Sequence, residues 1–149
     1  MKIFYSLLLL LFSSFCGFAQ NNAGCPNANL SAGTFANWQG YTGTYANPAA
    51  TFGIVNGRHT IISAQGIDPN TCGGLQMIPP GSTRSARLGN ASTGSQGERL
   101  SYTINVNTQN SLFIYKYACV LQDPGHSAAQ QPVFQMRLLN QNGTQIGGN

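Results

Sequence analysis

The sequence predicts an all-β fold, a β-sandwich with jelly-roll topology, and three observations carry this prediction. No stretch after residue 20 repeats apolar residues at helical spacing over the roughly ten positions that an amphipathic helix needs. Apolar and polar residues instead alternate with period two in several short runs, as in half-buried strands. Gly, Pro and Asn turns separate these runs, which is typical of sandwiches. An immunoglobulin-like topology is disfavoured because Trp38 lies in the loop-like "FANWQGYTG" and not in a strand between paired cysteines.

Three short strands are predicted in the first half of the domain. Two of them, "TFGIVNG" and "HTIIS", lie around the Asn56-Gly57 pair, whose residue types favour a tight turn. The third is "SARLG", which begins at Ser85. These lengths fit the short strands of a sandwich.

The second half has the clearest strand pattern. In "RLSYTINV" polar residues occupy one face and apolar residues the other. The apolar residues are Leu100, Tyr102, Ile104 and Val106. The stretch "NSLFIYKYACVL" is apolar on both faces apart from Lys116, which predicts a central strand. "PVFQMRLLN" alternates again, and Asn142-Gly143 predicts a tight hairpin into "TQI". The sequence stops just after this hairpin, so we expect a sandwich truncated at its C-terminus, the N-terminal fragment of a longer protein.

Residues 1–19 have the pattern of a cleavable export signal. Lys2 gives a positive start, an apolar core spans 3–15, and the stretch "GFA" at 17–19 places small residues where signal peptidase reads them. We therefore expect residues 20–149 to form one secreted or cell-surface domain. The apolar run is too short for an ordinary membrane span and no second one follows, so we expect no membrane span in the mature chain.

The cysteines predict one disulfide. Cys16 leaves with the signal, and its interpretation as a lipoprotein cysteine is disfavoured by the bulky Phe15 before it. Cys25 and Cys72 lie in polar, turn-rich stretches that suit a loop disulfide in an oxidising compartment. Cys119 lies in "LFIYKYACVL", where a free cysteine would behave as a small buried hydrophobe. We expect a Cys25–Cys72 bridge and a buried, reduced Cys119, in a spacing that matches neither a zinc site nor a redox CxxC motif.

Charged residues are scarce, and this scarcity excludes several function classes. They form 7% of the chain, against about 25% in ordinary globular proteins. The formal net charge is +4, but the Lys and Arg residues are dispersed, so we expect no nucleic-acid binding. The only acids, Asp68, Glu98 and Asp123, lie in separate loops or strand ends, so no carboxylate pair for glycoside hydrolysis is expected.

Nucleophilic catalysis and metal binding are equally poorly supported by the sequence. No serine lies in a GxSxG setting, and His59 is interpreted as a strand-edge histidine, so we expect no catalytic residue. No metal site and no cofactor are predicted. A structural calcium ion is the one alternative left open, because backbone and Asn carbonyls could supplement the few carboxylates.

The stretch "VLQDPGH" places Asp123 three residues before His126, which raises the question of a catalytic dyad. A turn is the favoured interpretation, because the Pro fixes φ near −65° and the Gly accepts positive φ, as a type II turn requires. We expect Asp123 to accept backbone N–H bonds of its own turn and to meet Arg87 or Arg137 from a neighbouring strand. His126 should project outward.

Five stretches together resemble the N-terminal module of large exported, adhesin-like surface proteins of gliding Bacteroidota, which end in a type IX sorting domain: "CPNANLSAGTFANWQGYTGTY", "GRHTII", "DPNTCGGL", "STRSARLGNASTGSQGERLSYTI" and "FIYKYACVLQDPGHSAAQQPVFQMRLLN". The resemblance covers nearly all of residues 20–149. It implies a sandwich of the galactose-binding or carbohydrate-binding-module type, with glycans or other cell-surface polymers as partners. It carries over no catalytic residues, and this sequence has no sorting domain, so surface anchoring is not implied.

The aromatic residues give the one candidate binding site. Trp38, Tyr41 and Tyr45 cluster in a Gly-rich stretch beside amide side chains, and exposed aromatic rings with nearby amides suit sugar recognition. The alternative is that Trp38 closes one end of the core. Two functions stay open: a non-catalytic recognition or structural module of an adhesin-like surface protein, or an accessory domain of a secreted hydrolase whose catalytic part is missing from this chain.

Overall fold

The computed structural model describes residues 24–123 and 125–147, and regular structure there consists of five strands and short 3-10 turns. The strands are β1 (Trp38–Thr44), β2 (Asn47–Phe52), β3 (His59–Ile62), β4 (Ser85–Leu88) and β5 (Gln96–Tyr102). All strand pairs are antiparallel, and no α-helix occurs in the described residues, so the all-β prediction is confirmed. The predicted signal peptide, residues 1–19, lies outside the described residues.

A three-stranded sheet in the order β2-β1-β5 contains most of the pairing. β1 and β2 form a hairpin in which Thr44 pairs with Asn47. On its other side β1 pairs with β5 along its whole length, from Trp38 opposite Tyr102 to Thr44 opposite Gln96. A Cβ atom added to Gly97 would clash with the Thr44 carbonyl, so this close approach of β5 to the hairpin end requires glycine.

A second, two-stranded sheet of β3 and β4 meets the first through the residues that begin β3. The Arg58 guanidinium pairs with the Glu98 carboxylate of β5. The next residue, His59, is only 2% exposed, and its Nδ1 accepts the Val55 N–H at 3.1 Å. Its Nε2 lies 3.2 Å from the Arg99 carbonyl oxygen, so Nε2 is the nitrogen that carries the proton and donates. Two successive residues therefore fix one sheet against the other.

The buried apolar core of the described residues is small. Its buried hydrophobic residues are Leu30 and Ile78, at 7% and 1% exposure. The Phe35 ring meets the His59 ring edge-on, with ring centroids 6.3 Å apart. A compact loop ahead of β1 is organised by the Asn27 side chain, which donates to two loop carbonyls and accepts the N–H of Ala32. Polar contacts thus fix much of the geometry that a larger core would otherwise fix.

Several predicted strands are confirmed, at shifted boundaries. "HTIIS" and "SARLG" correspond to β3 and β4, and "RLSYTINV" supplies the end of β5, which stops at Tyr102. The predicted strand "TFGIVNG" contributes only its first two residues, at the end of β2. The loop predicted around Trp38 is wrong, because Trp38 begins β1. Apart from Trp38 and Tyr41 this strand consists of Gln, Gly and Thr, so it has little of the apolar signal by which strands are recognised.

Two strand predictions for the second half are wrong. No strand forms within 111–121 or 132–138, where a central strand and a half-buried strand were expected. The side chains there are exposed, for example Leu112 at 73%, and no backbone hydrogen bond joins 111–121 to another described segment. An extended segment becomes a strand only when another edge pairs with it. The predicted turn at Asn142-Gly143 does form: Leu139 and Gln145 make an antiparallel bridge, the Asn140 N–H donates to the Thr144 carbonyl, and Gly143 has a φ of 76°.

The cysteine predictions also differ from the structure. Cys25, Cys72 and Cys119 are free thiols, so the Cys25–Cys72 bridge is not formed here. Cys72 is exposed in the left-handed region, with a φ of 51°, at the end of the 3-10 turn Pro69–Thr71, whereas the Cys25 sulfur accepts a hydrogen bond from Asn110 Nδ2 at 3.8 Å. Cys119 is exposed and not buried, and its segment has no backbone hydrogen bond to another described segment.

The junction at His59 is testable by substitution. We expect His59→Ala to lower the free energy of unfolding by about 2–4 kcal/mol, because it opens a cavity and leaves the Val55 N–H and one acceptor site of the Arg99 carbonyl unpaired. Urea unfolding followed by the fluorescence of Trp38, the only Trp, measures this. His126→Ala, at the chain's other and exposed histidine, is the matched control and should change nothing. Equal stability of His59→Ala and His126→Ala would contradict the assignment.

Candidate functional site

One face of the three-stranded sheet brings an aromatic pair and an arginine into a row across three strands. Residues directly opposite each other in antiparallel strands point to the same face. Tyr41 of β1 pairs with Phe52 of β2 on one side and with Arg99 of β5 on the other. Two residues along β1, Gln39 pairs with Ser101 and shares this face. We call these five residues the outer face.

The contacts within the outer face are specific. The Tyr41 and Phe52 rings meet edge-to-face, with centroids 5.3 Å apart and planes at 71°. The Arg99 guanidinium carbon lies 4.9 Å from the centre of the Tyr41 ring, in cation–π range. The Tyr41 hydroxyl donates to Gln39 Oε1 at 3.4 Å. Phe52 is 69% exposed and Arg99 is exposed, so the row faces solvent.

The three aromatic residues predicted as a binding cluster do not share one surface. Trp38 lies three residues before Tyr41 along β1 and hence on the opposite face. It packs on Tyr102 with ring centroids 4.8 Å apart, and its indole N–H donates to the Asn27 carbonyl at 2.9 Å. Tyr45 is 55% exposed in the turn between β1 and β2. Trp38 is therefore a half-buried, packed side chain on the face opposite Tyr41, and only Tyr41 belongs to the outer face.

Sequence reasoning missed Phe52 and Arg99. They are 47 positions apart in the numbering of the chain and meet only through the register of β1 with its two neighbours. The signal available in the sequence was weak: an aromatic residue before a glycine, and an arginine on the polar side of an alternating run. Neither identifies a partner strand.

All three acidic side chains of the chain have local structural roles. Glu98 pairs with Arg58 at the junction of the sheets, where both side chains are largely buried. Asp68 caps the turn Pro69–Thr71 by accepting the Asn70 N–H at 2.8 Å. Asp123 accepts the N–H groups of Gly125 and His126 at 2.9 and 2.8 Å. The described residues place no two of these carboxylates together.

The stretch "VLQDPGH" has the geometry of a turn. Asp123 accepts both N–H groups that follow Pro124, which itself lies outside the described residues, and Gly125 has a φ of 100°, as the prediction required. The expected partner Arg87 or Arg137 is not found beside Asp123. The basic group beside Asp123 is instead His126 Nδ1, at 3.6 Å, which makes an ion pair only when the imidazole is protonated, while Arg137 donates to Gln135. The hydrogen bond from the His126 N–H is the largest cause that lowers the pKa of Asp123.

Other site types find little support in the described residues. No group of three or more His, Cys, Asp or Glu side chains that could hold a metal occurs in 24–123 and 125–147. A shallow depression is lined by Asn70, Asn90 and the stretch 120–122, with Ala91, and none of these side chains titrates. No helix in the part of the chain that the structure describes is long and apolar enough to cross a membrane.

Comparison of the chain with protein-family models, with curated proteins and with solved structures gives no match. The outer face is therefore interpreted from its own geometry.

The turn at Asp123 gives a testable prediction about the pH dependence of its hydrogen bonds. The carboxyl should titrate below its ordinary range, because its ionised form accepts the His126 and Gly125 N–H bonds. A lowered folded pKa means that these bonds are present at neutral pH and are lost as the pH falls through that folded value. NMR should show the two amide signals shifting together with the Asp123 carboxyl.

The control is Asp123→Asn, whose amide signals should lack this transition. A carboxyl that titrates at or above its ordinary value, with amides that do not follow it, would show that the capping bonds do not form.

Proposed function

We propose that the chain is a non-catalytic recognition module of an exported surface protein and that it binds glycans through the outer face. The observation that carries this proposal is the solvent-exposed row of Phe52, Tyr41 and Arg99 across β2, β1 and β5. A sugar ring has an apolar face that packs on aromatic rings, and its hydroxyls bond to amides and guanidinium groups. The outer face offers both kinds of group within one cross-strand row.

The engagement of every acidic side chain supports a binding role over a hydrolytic one. Glycoside hydrolysis needs two carboxyl groups about 5–10 Å apart across the scissile bond. Asp68 and Asp123 hold their own turns, and Glu98 holds Arg58. The proposal therefore assigns no reaction to the chain. Its export belongs to the same proposal on the pattern of residues 1–19, and its sandwich of the sugar-binding type and its membership in an adhesin-like protein belong to it as what the family resemblance implies.

A second aromatic group is less suited to a sugar. Tyr115, Tyr117 and Phe134 form a stack with centroid distances of 5.8 and 5.2 Å and planes within 17° of parallel. Because each ring covers the face of the next, the middle ring has no free face for a pyranose. In the outer face the Tyr41–Phe52 contact is edge-to-face, and Phe52 remains 69% exposed.

The proposal predicts which aromatic side chains carry binding. A glycan array should retain at least one carbohydrate, and titration calorimetry with that carbohydrate should show about tenfold weaker binding for Tyr41→Ala and for Phe52→Ala, the equivalent of about 1.4 kcal/mol. The reason is the loss of aromatic area beneath the sugar ring.

Tyr117→Ala is the matched control, since Tyr117 is also a largely exposed aromatic residue but lies in the stack outside the sheet. It should bind like the unmodified protein. Circular dichroism must show that each variant keeps its strands. Full affinity in both Tyr41→Ala and Phe52→Ala would eliminate the outer face as the binding surface.

A further inference from the structure

Arg99 has no carboxylate partner, whereas Arg58 at the junction of the two sheets has one. Arg58, one position before β3, pairs with Glu98 and also donates to the Gly97 carbonyl at 3.1 Å. Arg99 is the next residue along β5 and points to the opposite face, where its contact is the Tyr41 ring. No acidic side chain of the described residues lies in the outer face, because all three are engaged elsewhere.

The position of Arg99 is fixed although its charge is unpaired. Its backbone pairs with Tyr41 in the sheet, and its carbonyl oxygen also accepts the His59 ring N–H at 3.2 Å. Its guanidinium lies over the Tyr41 ring, whose electron-rich face holds a cation without neutralising it. A guanidinium held in place retains its planar fork of N–H donors for a carboxylate from outside the chain.

The other cations of the described chain have different surroundings. Arg84 donates to the Ser31 carbonyl, Lys116 to the Pro80 carbonyl and Arg137 to the Gln135 side chain. None of these three contacts an aromatic ring. Arg99 is thus the cation that lies in the same cross-strand row as two aromatic rings, and the full sequence carries a formal net charge of +4.

We infer that the outer face selects acidic glycans, with the Arg99 guanidinium bonding a sugar carboxylate while the sugar ring packs on Tyr41 and Phe52. This inference rests on the proposed function and narrows its ligand class by charge complementarity. The shared chemistry is a carboxylate-bearing sugar, as in uronic acids or sialic acids. A charge-assisted bond to a fixed guanidinium is worth about tenfold or more in affinity.

The test uses two pairs of carbohydrate probes. Within each pair, one probe carries a sugar carboxylate and the other does not. Oligogalacturonate is compared with its fully methyl-esterified form, and sialyllactose with lactose, by titration calorimetry against the full chain. In at least one pair the carboxylated probe should bind about tenfold more tightly. Arg99→Gln should remove that preference, so that the charged and the neutral member of the responding pair bind with equal affinity. Which pair responds distinguishes a uronate from a sialate ligand.

Arg87→Gln is the matched control, because Arg87 is also an exposed strand arginine but lies on β4 in the other sheet. It should keep the preference. An equal loss in Arg87→Gln and Arg99→Gln would show diffuse charge attraction and overturn the inference. Equal binding of charged and neutral probes, abolished by Tyr41→Ala, would also overturn it while supporting the proposed function. Absence of binding to all four probes, with the array also empty, would count against both.

Discussion

The ion pair between Arg58 and Glu98, together with the adjacent His59 bonds, is the constraint on which the arrangement of the two sheets depends. Glu98 belongs to β5, at the edge of the three-stranded sheet, and Arg58 immediately precedes β3 of the other sheet. The Arg58 guanidinium also donates to carbonyls of Gly43 and Gly97, so it is bonded to two strands at once. With few fully buried apolar side chains available, directional polar bonds fix the relative position of the layers. Replacing either partner by a neutral residue would leave the largely buried charge of the other unpaired, which would destabilise the fold.

The same junction connects the interior of the molecule with its outer face. His59 contacts the carbonyl of Arg99 from the inside, while the Arg99 side chain lies on the outside over Tyr41. The buried His59 ring therefore bonds the backbone of the same residue whose guanidinium is exposed. His59 holds the backbone in position, and the Arg99 side chain is available for contact.

Period-two alternation predicted the strands that find partners and also some that do not. β3, β4 and the end of β5 follow from it, because each of them has a neighbouring strand with which its backbone pairs. The stretch 111–121 has a stronger apolar pattern than any of them and yet is exposed and unpaired. The alternation of apolar and polar residues indicates that a segment could be buried on one face. Whether the segment pairs depends on the edge of a second strand that lies far away in the sequence. For the same reason Tyr41 could be selected from its local context, but Phe52 and Arg99 required the register.

The glycine pair Gly43–Gly97 determines how far the outer face extends. Gly43 follows Tyr41 by two residues along β1, Gly97 precedes Arg99 by two residues along β5, and the two glycines face each other, so the row of side chains ends there. From Gln39 to Gly43 the strand advances about 14 Å at about 3.4 Å per residue. If the outer face binds sugars as proposed, a footprint of this length would accommodate a short oligosaccharide and not a long stretch of polymer. Affinity should accordingly stop rising once the saccharide is longer than the footprint, and longer chains would gain only from the number of modules that they engage.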